Sequence, residues 1–310
     1  MTSGGKPLVV GVGTAGSSMV SYMREMGFSA EYLFASFNRK DVPGEYRFFD
    51  WRSADQNGTS EYARSLASNA EFVVILGGLG GTSGSFLMPK LCEISDSTGA
   101  PTLAIALLPF KKDVWMEFHA ATSISRIKRT SSGLIVVDRE QFLEERMNEM
   151  PLDQLYKKID EKIAFALVNL LTESEKATEV LCRGQSAMQV GDATSGFIST
   201  LASVLRRTVA GNMSDVSDIF LISGGSRPMT FDDSFKSSSG IRNIIAPESR
   251  LHFVNGNVKM KGMNMVAMVS HVEGDLKLRI SDPLEKLNWS WIDPEPESGI
   301  RIPIDIERLD

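Results

Sequence analysis

The first half of the chain alternates short, continuous apolar runs with segments whose apolar residues recur at intervals of three and four. Residues 7–12 form an apolar run ending in glycine, as a buried strand does. Residues 17–26 place Met19, Val20, Met23 and Met26 on one helical face, and Gly27 supplies the stop. Further strands are predicted over 32–35, 72–76, 102–108 and 134–137, and helices over 61–67, 86–95 and 114–129. Pro89 fits a helix only near its first turn, because it lacks the N–H that later positions donate. Continuous β-branched runs between helices imply a parallel sheet covered on both faces.

Residues 152–171 carry the longest helical pattern, with Leu152, Leu155, Tyr156, Ile159, Ile163, Ala166, Leu167 and Leu170 at helical spacing. A polar stretch over 172–176 follows and marks the expected boundary. Beyond it the rhythm changes to α+β: a helix near 194–207, a strand at 219–222, a helix near 232–244, then strands at 251–254, 263–271 and 276–280. The expected organisation is a nucleotide-binding domain over 1–150, a central helix over 151–172, an α+β domain over 173–285 and an acidic tail over 286–310. Residues 292–310 hold six acids, two arginines and Pro294, Pro296 and Pro303, which predicts an extended or partly disordered segment.

A net charge of -6 argues against nucleic acid as the main partner, since phosphate binding needs clustered Lys and Arg. The longest apolar run, 103–110, is strand length, so no membrane insertion is expected. No leader peptide is expected from residues 1–6, and Cys92 and Cys182 lie in apolar helical stretches. Both thiols are expected to be reduced and buried in a cytoplasmic protein. His119, His252 and His271 have no ligand spacing, which argues against a zinc site.

Two glycine runs each leave a predicted strand and enter a predicted helix. Gly11-Val12-Gly13-Thr14-Ala15-Gly16-Ser17-Ser18 fits the G-x-G-x-x-G pattern, in which glycines bring backbone N–H groups close to phosphate. Gly77-Gly78-Leu79-Gly80-Gly81-Thr82-Ser83-Gly84-Ser85 offers a concave run of backbone and hydroxyl donors suited to several phosphate oxygens. No lysine follows it, so it is not a P-loop. The first run alone also permits a dinucleotide-dependent oxidoreductase, with Arg39 meeting a 2′-phosphate, but that reading leaves the second run without a role.

At these residues the sequence resembles the tubulin/FtsZ superfamily. Gly11 to Ser18 stands where FtsZ reads G-V-G-G-G-G-N, and GLGGTSGSFLMP over 78–89 runs in register with G-M-G-G-G-T-G-T-G-A-A-P. Leu108-Pro109-Phe110, the 134–137 strand, the central helix and Ile222-Ser223-Gly224-Gly225 extend the likeness to roughly residues 7–280. The resemblance implies a Rossmann-like parallel-sheet GTPase domain, a long central helix and a smaller α+β domain. It implies GTP or GDP with Mg²⁺, bound by Gly13, Thr14, Ala15, Gly16, Ser18, Gly80, Gly81, Thr82, Ser83 and Gly84. Asp160 falls where the family's central helix reads guanine, and Tyr156 lies one turn earlier on the same face, placed to stack on the base.

Several residues depart from the family pattern. Ser18 replaces an Asn, Asp138-Arg139 replaces Pro-Asn, and Lys112, Asp113 and Met116 occupy the ribose-contact stretch. In the family, carboxylates following the central helix reach the next subunit's nucleotide and position water. Here that stretch is Ser174-Glu175-Lys176-Ala177-Thr178-Glu179. Glu179 fits the second acid, Lys176 sits where the first belongs, and Glu175 substitutes for it in a shifted register. Asn212 to Asp218 resembles the motif superficially and reads as a turn. The resemblance implies a divergent archaeal cytoskeletal protein that assembles with itself into head-to-tail filaments and hydrolyses GTP weakly. The alternative is a non-hydrolysing nucleotide-binding scaffold of the same fold. The 299–309 segment faintly resembles the tail by which FtsZ proteins dock adaptors; an edge strand of the second domain is the competing expectation.

Overall fold

The computed structural model describes residues 5–43, 48–50, 56–111, 114–142, 150–173, 175–193, 196–206, 215–225, 229–256, 264–276, 278 and 280. The tail over 286–310, with its expected docking segment, lies outside them, as do Lys112, Asp113 and Asn212 to Ser214.

β1 (Leu8–Val12), α1 (Gly13–Glu25), β2 (Glu31–Ser36), β3 (Phe48–Asp50), α2 (Gln56–Ser68), β4 (Val73–Gly78), α3 (Thr82–Asp96), β5 (Thr102–Leu108), α4 (Val114–Thr130) and β6 (Gly133–Asp138) make the first half. α5 (Leu152–Glu173), α6 (Glu175–Leu181), β7 (Gln185–Asp192), α7 (Phe197–Arg206), β8 (Asp218–Gly225), α8 (Phe231–Arg242), β9 (Arg250–Asn255) and β10 (Asn264–Val272) follow. All ten strands join one sheet, ordered β3-β2-β1-β4-β5-β6-β7-β10-β8-β9. β1 to β7 are mutually parallel. β10 runs antiparallel to both β7 and β8, and β9 is parallel to β8. The expected parallel sheet is therefore present, and β7 carries it on past α5.

Strand side chains alternate between two cores, as the period of two requires. Val10, Ile75 and Ala104 face α2, α3 and α4, while Val9, Val74 and Leu103 face α1 and α5. The predicted apolar stripe of α5 is buried from Ile159 through Leu170. This helix of 22 residues is about 33 Å long.

Five details differ from the sequence expectation. α1 begins at Gly13, so most of the first glycine run is helix rather than loop. α3 begins at Thr82, which puts Pro89 inside the helix instead of near its first turn. The Ser85 carbonyl thereby loses its helical donor, and the Ser123 hydroxyl of α4 stands 3.0 Å from it as a replacement. β7 escaped the pattern because Gln185, Ser186 and Gln189 interrupt its apolar run, although Ser186 and Gln189 are buried. Residues 276, 278 and 280 are not in a strand. Cys92 is buried as expected, whereas Cys182 is only half-buried.

Candidate functional site

From β1 the sheet grows in two directions: β2 and β3 lie on one side, β4 to β7 on the other. In a doubly wound sheet the chain leaving two such neighbouring strands diverges to opposite faces, and a crevice opens at their carboxyl ends. Both glycine runs leave these strands, the first after β1 into α1 and the second after β4 into α3.

Each helix starts without a side-chain cap: Val12 and Gly81 occupy the N-cap positions and neither supplies an oxygen. Neither helix has an acidic residue in its first turn. The first amides of a helix have no intrahelical acceptor, and the helix dipole adds positive potential there. The two starts are adjacent, since a Cβ placed on Gly13 would lie 3.2 Å from Cβ of Ser83. Gly13 has φ +65 and makes the turn without the strain a larger residue would incur. Thr14 and Thr82 are exposed at the mouth, Ala15 is half-buried, and Gly16 and Gly84 are buried where the helices pass close to β4. Ser83 is held from β2, with its hydroxyl 3.2 Å from both the Phe37 N–H and Ser36 Oγ. Gly80 donates its N–H to Ser85 Oγ, which fixes the second turn.

Beside this double helix start lies the N-terminal half of α5. Tyr156 packs its ring 5.6 Å from Phe110, and Asp160 is only 3% exposed. The Ser18 hydroxyl of α1 donates to Asp160. Ser18, Tyr156 and Asp160 thus converge with the two glycine turns, although Ser18 and Asp160 stand 142 positions apart in sequence.

A residue that sequence reasoning noted only as a departure completes the cluster. Arg139, directly after β6, is 7% exposed, and its guanidinium carbon stands 5.1 Å over the Tyr156 ring. Its Nη2 approaches Asp160 Oδ1 to 3.9 Å, an ion pair too long for a hydrogen bond. Arg139 Nε and Asp160 Oδ1 are buried with no hydrogen-bond partner. The signal in the sequence was a charged pair, Asp138-Arg139, ending an otherwise apolar buried strand.

Burial dominates the electrostatics. It pushes the Asp160 carboxyl up from 3.8 to about 7, against the opposing pull of Arg139 and the Ser18 hydrogen bond. It also lowers the Arg139 pKa, though a guanidinium remains charged. Between about pH 4 and pH 7 the folded chain therefore holds a proton on Asp160 that the unfolded chain has released, and above about pH 7 Asp160 is a carboxylate facing Arg139. Stability contributed at this position falls as pH rises from about 4 to about 7 and then levels off. Relative to Asp160→Asn, the wild-type protein is expected to lose about 2–4 kcal/mol between pH 5 and pH 8 in urea unfolding. The variant comparison isolates this change from His271, whose burial lowers its pKa and acts in the opposite direction. A wild-type-minus-variant difference independent of pH would show that Asp160 titrates normally.

The candidate catalytic residues lie elsewhere. Glu175 is the first residue of α6, and Glu179 projects from it, 60% exposed, with Arg183 at 2.8 Å. Lys176 is exposed on the same short helix. α6 ends against Gly133 at the start of β6, whereas Arg139 follows the end of that strand. Six strand residues span about 20 Å. Glu179 and the glycine turns of one chain thus stand at opposite ends of the parallel strands, and the structure does not bring them together.

No protein-family profile matches the chain. Over 231 residues it is 22% identical to the cell division protein FtsZ of Helicobacter pylori, an alignment covering 64% of this chain and 60% of that protein. The chain thus spans about three-fifths of the length of that curated relative. An empty FtsZ dimer structure from M. jannaschii superposes with a TM-score of 0.72 at 18% identity, covering 86% of this chain and 88% of that one. CetZ2 from Haloferax volcanii, solved as a GTPγS-bound protofilament, gives a TM-score of 0.65 at 18% identity, covering 91% and 96%. The chain is thus similar in sequence to FtsZ over about two-thirds of its length and shares the fold of the FtsZ and CetZ structures over most of it.

Proposed function

We propose that the chain is a cytoskeletal protein that binds GTP or GDP in the crevice between β1, β4 and α5 and assembles head to tail with copies of itself. The observation that carries the reading is the pairing of two uncapped helix starts with a buried carboxyl group whose Oδ1 lacks a hydrogen-bond partner. Amides of Gly13 to Gly16 and of Thr82 to Gly84 suit phosphate oxygens. Asp160 suits the guanine edge, because a carboxylate accepts from N1–H and the 2-amino group together while adenine offers no such pair. Mg²⁺ would enter with the phosphates it neutralises. The crevice fits a phosphorylated ligand on this chain's own chemistry, and a relative of the same fold carries GTPγS in a protofilament.

The placement of Glu179 at the end of β6 opposite the glycine turns supports the head-to-tail reading. A carboxylate at the far ends of the strands reaches a nucleotide only if that nucleotide belongs to the next subunit. A heterologous contact of that kind repeats without closing and makes a filament. A non-hydrolysing scaffold is the second reading, favoured by Lys176 standing where a water-positioning acid belongs.

Calorimetry with GDP, GTP and ATP in the presence of Mg²⁺ tests the binding. Guanine nucleotides should bind and ATP should not compete. Asp160→Ala should weaken the preference for guanine over adenine by about 1–3 kcal/mol, the cost of buried polar groups left unpaired. Equal affinity of the wild-type protein for ATP and GTP would remove Asp160 from its role.

A further inference from the structure

We propose that Arg139 is a built-in occupant of the base position, stacked on Tyr156 and paired with Asp160, which a guanine nucleotide must displace in order to bind. The inference rests on the guanine-nucleotide reading of the same crevice and adds the residue that sets its affinity. Arg139 contacts both surfaces that reading assigns to the base. Its guanidinium lies over the Tyr156 ring at 5.1 Å and faces Asp160 Oδ1 at 3.9 Å. A Cβ on Gly78, at the carboxyl end of β4, would stand 3.1 Å from Arg139 Nη2 and 3.1 Å from the Ala15 Cβ. The side chain therefore reaches from β6 across to the two glycine turns.

The chemistry of the mimicry is specific. A guanidinium is a planar N–C–N unit with donors in its own plane, the same substructure that guanine presents through N1, C2 and the 2-amino group. Both can stack on an aromatic face and donate to one carboxylate. Arg139 makes the second contact poorly: the pair is beyond hydrogen-bonding distance and leaves Nε and Asp160 Oδ1 without partners. Buried charged groups left in that state are costly. A base that forms the full hydrogen bonds can replace the guanidinium, and the arginine regains solvent when it leaves. The apparent affinity is then reduced by the fraction of molecules in which Arg139 has vacated the crevice. An arginine that remained in place and donated to guanine O6 and N7 would be a reader of the base instead. Its position over Tyr156, where the base would stack, favours displacement.

The test is GDP binding by calorimetry to the full chain carrying Arg139→Ala, compared with wild type. Displacement predicts that the variant binds GDP about tenfold more tightly. Arg139→Ser, which admits water to the vacated space, serves the same purpose if the alanine variant does not fold. Unchanged or weaker GDP binding by a folded variant, with the wild-type protein still binding, overturns the displacement and leaves the guanine-nucleotide reading standing. Absence of GDP binding by both wild type and folded variants overturns the two together.

Discussion

Gly81→Val is expected to give a folded protein that has lost GDP affinity by about 100-fold or more, the loss of one or two charge-assisted hydrogen bonds to phosphate. Gly81 caps α3 with φ -80 and ψ 163, extended backbone that valine adopts without strain. A Cβ there meets nothing within 4 Å, so the fold has room for it. The space it fills is the mouth of the α3 start, where a phosphate oxygen must come within hydrogen-bonding distance of the amides. Gly80 is the contrasting position. Its φ of +96 and a would-be Cβ 2.8 Å from the Met116 Cβ mean that valine there disturbs the fold itself. Gly80→Val should therefore lower the melting temperature, and any binding loss in it would be uninterpretable. Circular dichroism together with calorimetry separates the two variants. Undiminished GDP affinity in a folded Gly81→Val protein would make the second glycine run a mere connector.

Lys176→Asp is expected to raise GTP turnover by about 10²–10⁴-fold, the usual contribution of a positioned general base or water-orienting group. The wild-type protein should be slow, because a lysine cannot accept a proton from attacking water as a carboxylate can. Glu179→Ala should remove whatever turnover exists without changing GTP affinity in the monomer, since Glu179 stands at the strand ends opposite its own chain's glycine turns. Glu179 is exposed and shares only a surface ion pair with Arg183, so its removal should cost little stability. Phosphate release measured across protein concentration supplies the check. Turnover per subunit should rise with concentration if, as proposed, a second subunit completes the site. Turnover that stays constant down to monomeric concentrations would rule out the shared site.

Local rules settled much of this protein. Apolar runs such as those around Val9, Val74 and Ile105 can satisfy their backbone only by pairing, and they have no polar face to leave in water. The sequence therefore specified buried parallel strands, and the stripe from Leu155 to Leu170 specified a long helix. It also specified where the glycines stand relative to those strands, and through them the resemblance to the tubulin/FtsZ superfamily. What it left open depended on partners distant in the chain. Gln189 reads as a surface residue, yet β7 is central in the sheet because β6 and β10 pair with it on either side. Pro89 reads as a helix start, yet it lies within α3, where Ser123 of another helix replaces the donor that proline lacks. Asp160 sits among Lys157, Lys158, Glu161 and Lys162 in the sequence, as on a solvated face. Only the packing of α5 against α1 and the end of β6 buries it, brings Ser18 to it and lays Arg139 between it and Tyr156. Helical periodicity reports which face of a segment is apolar; the charge that will meet a particular carboxylate is decided by which strand ends beside it.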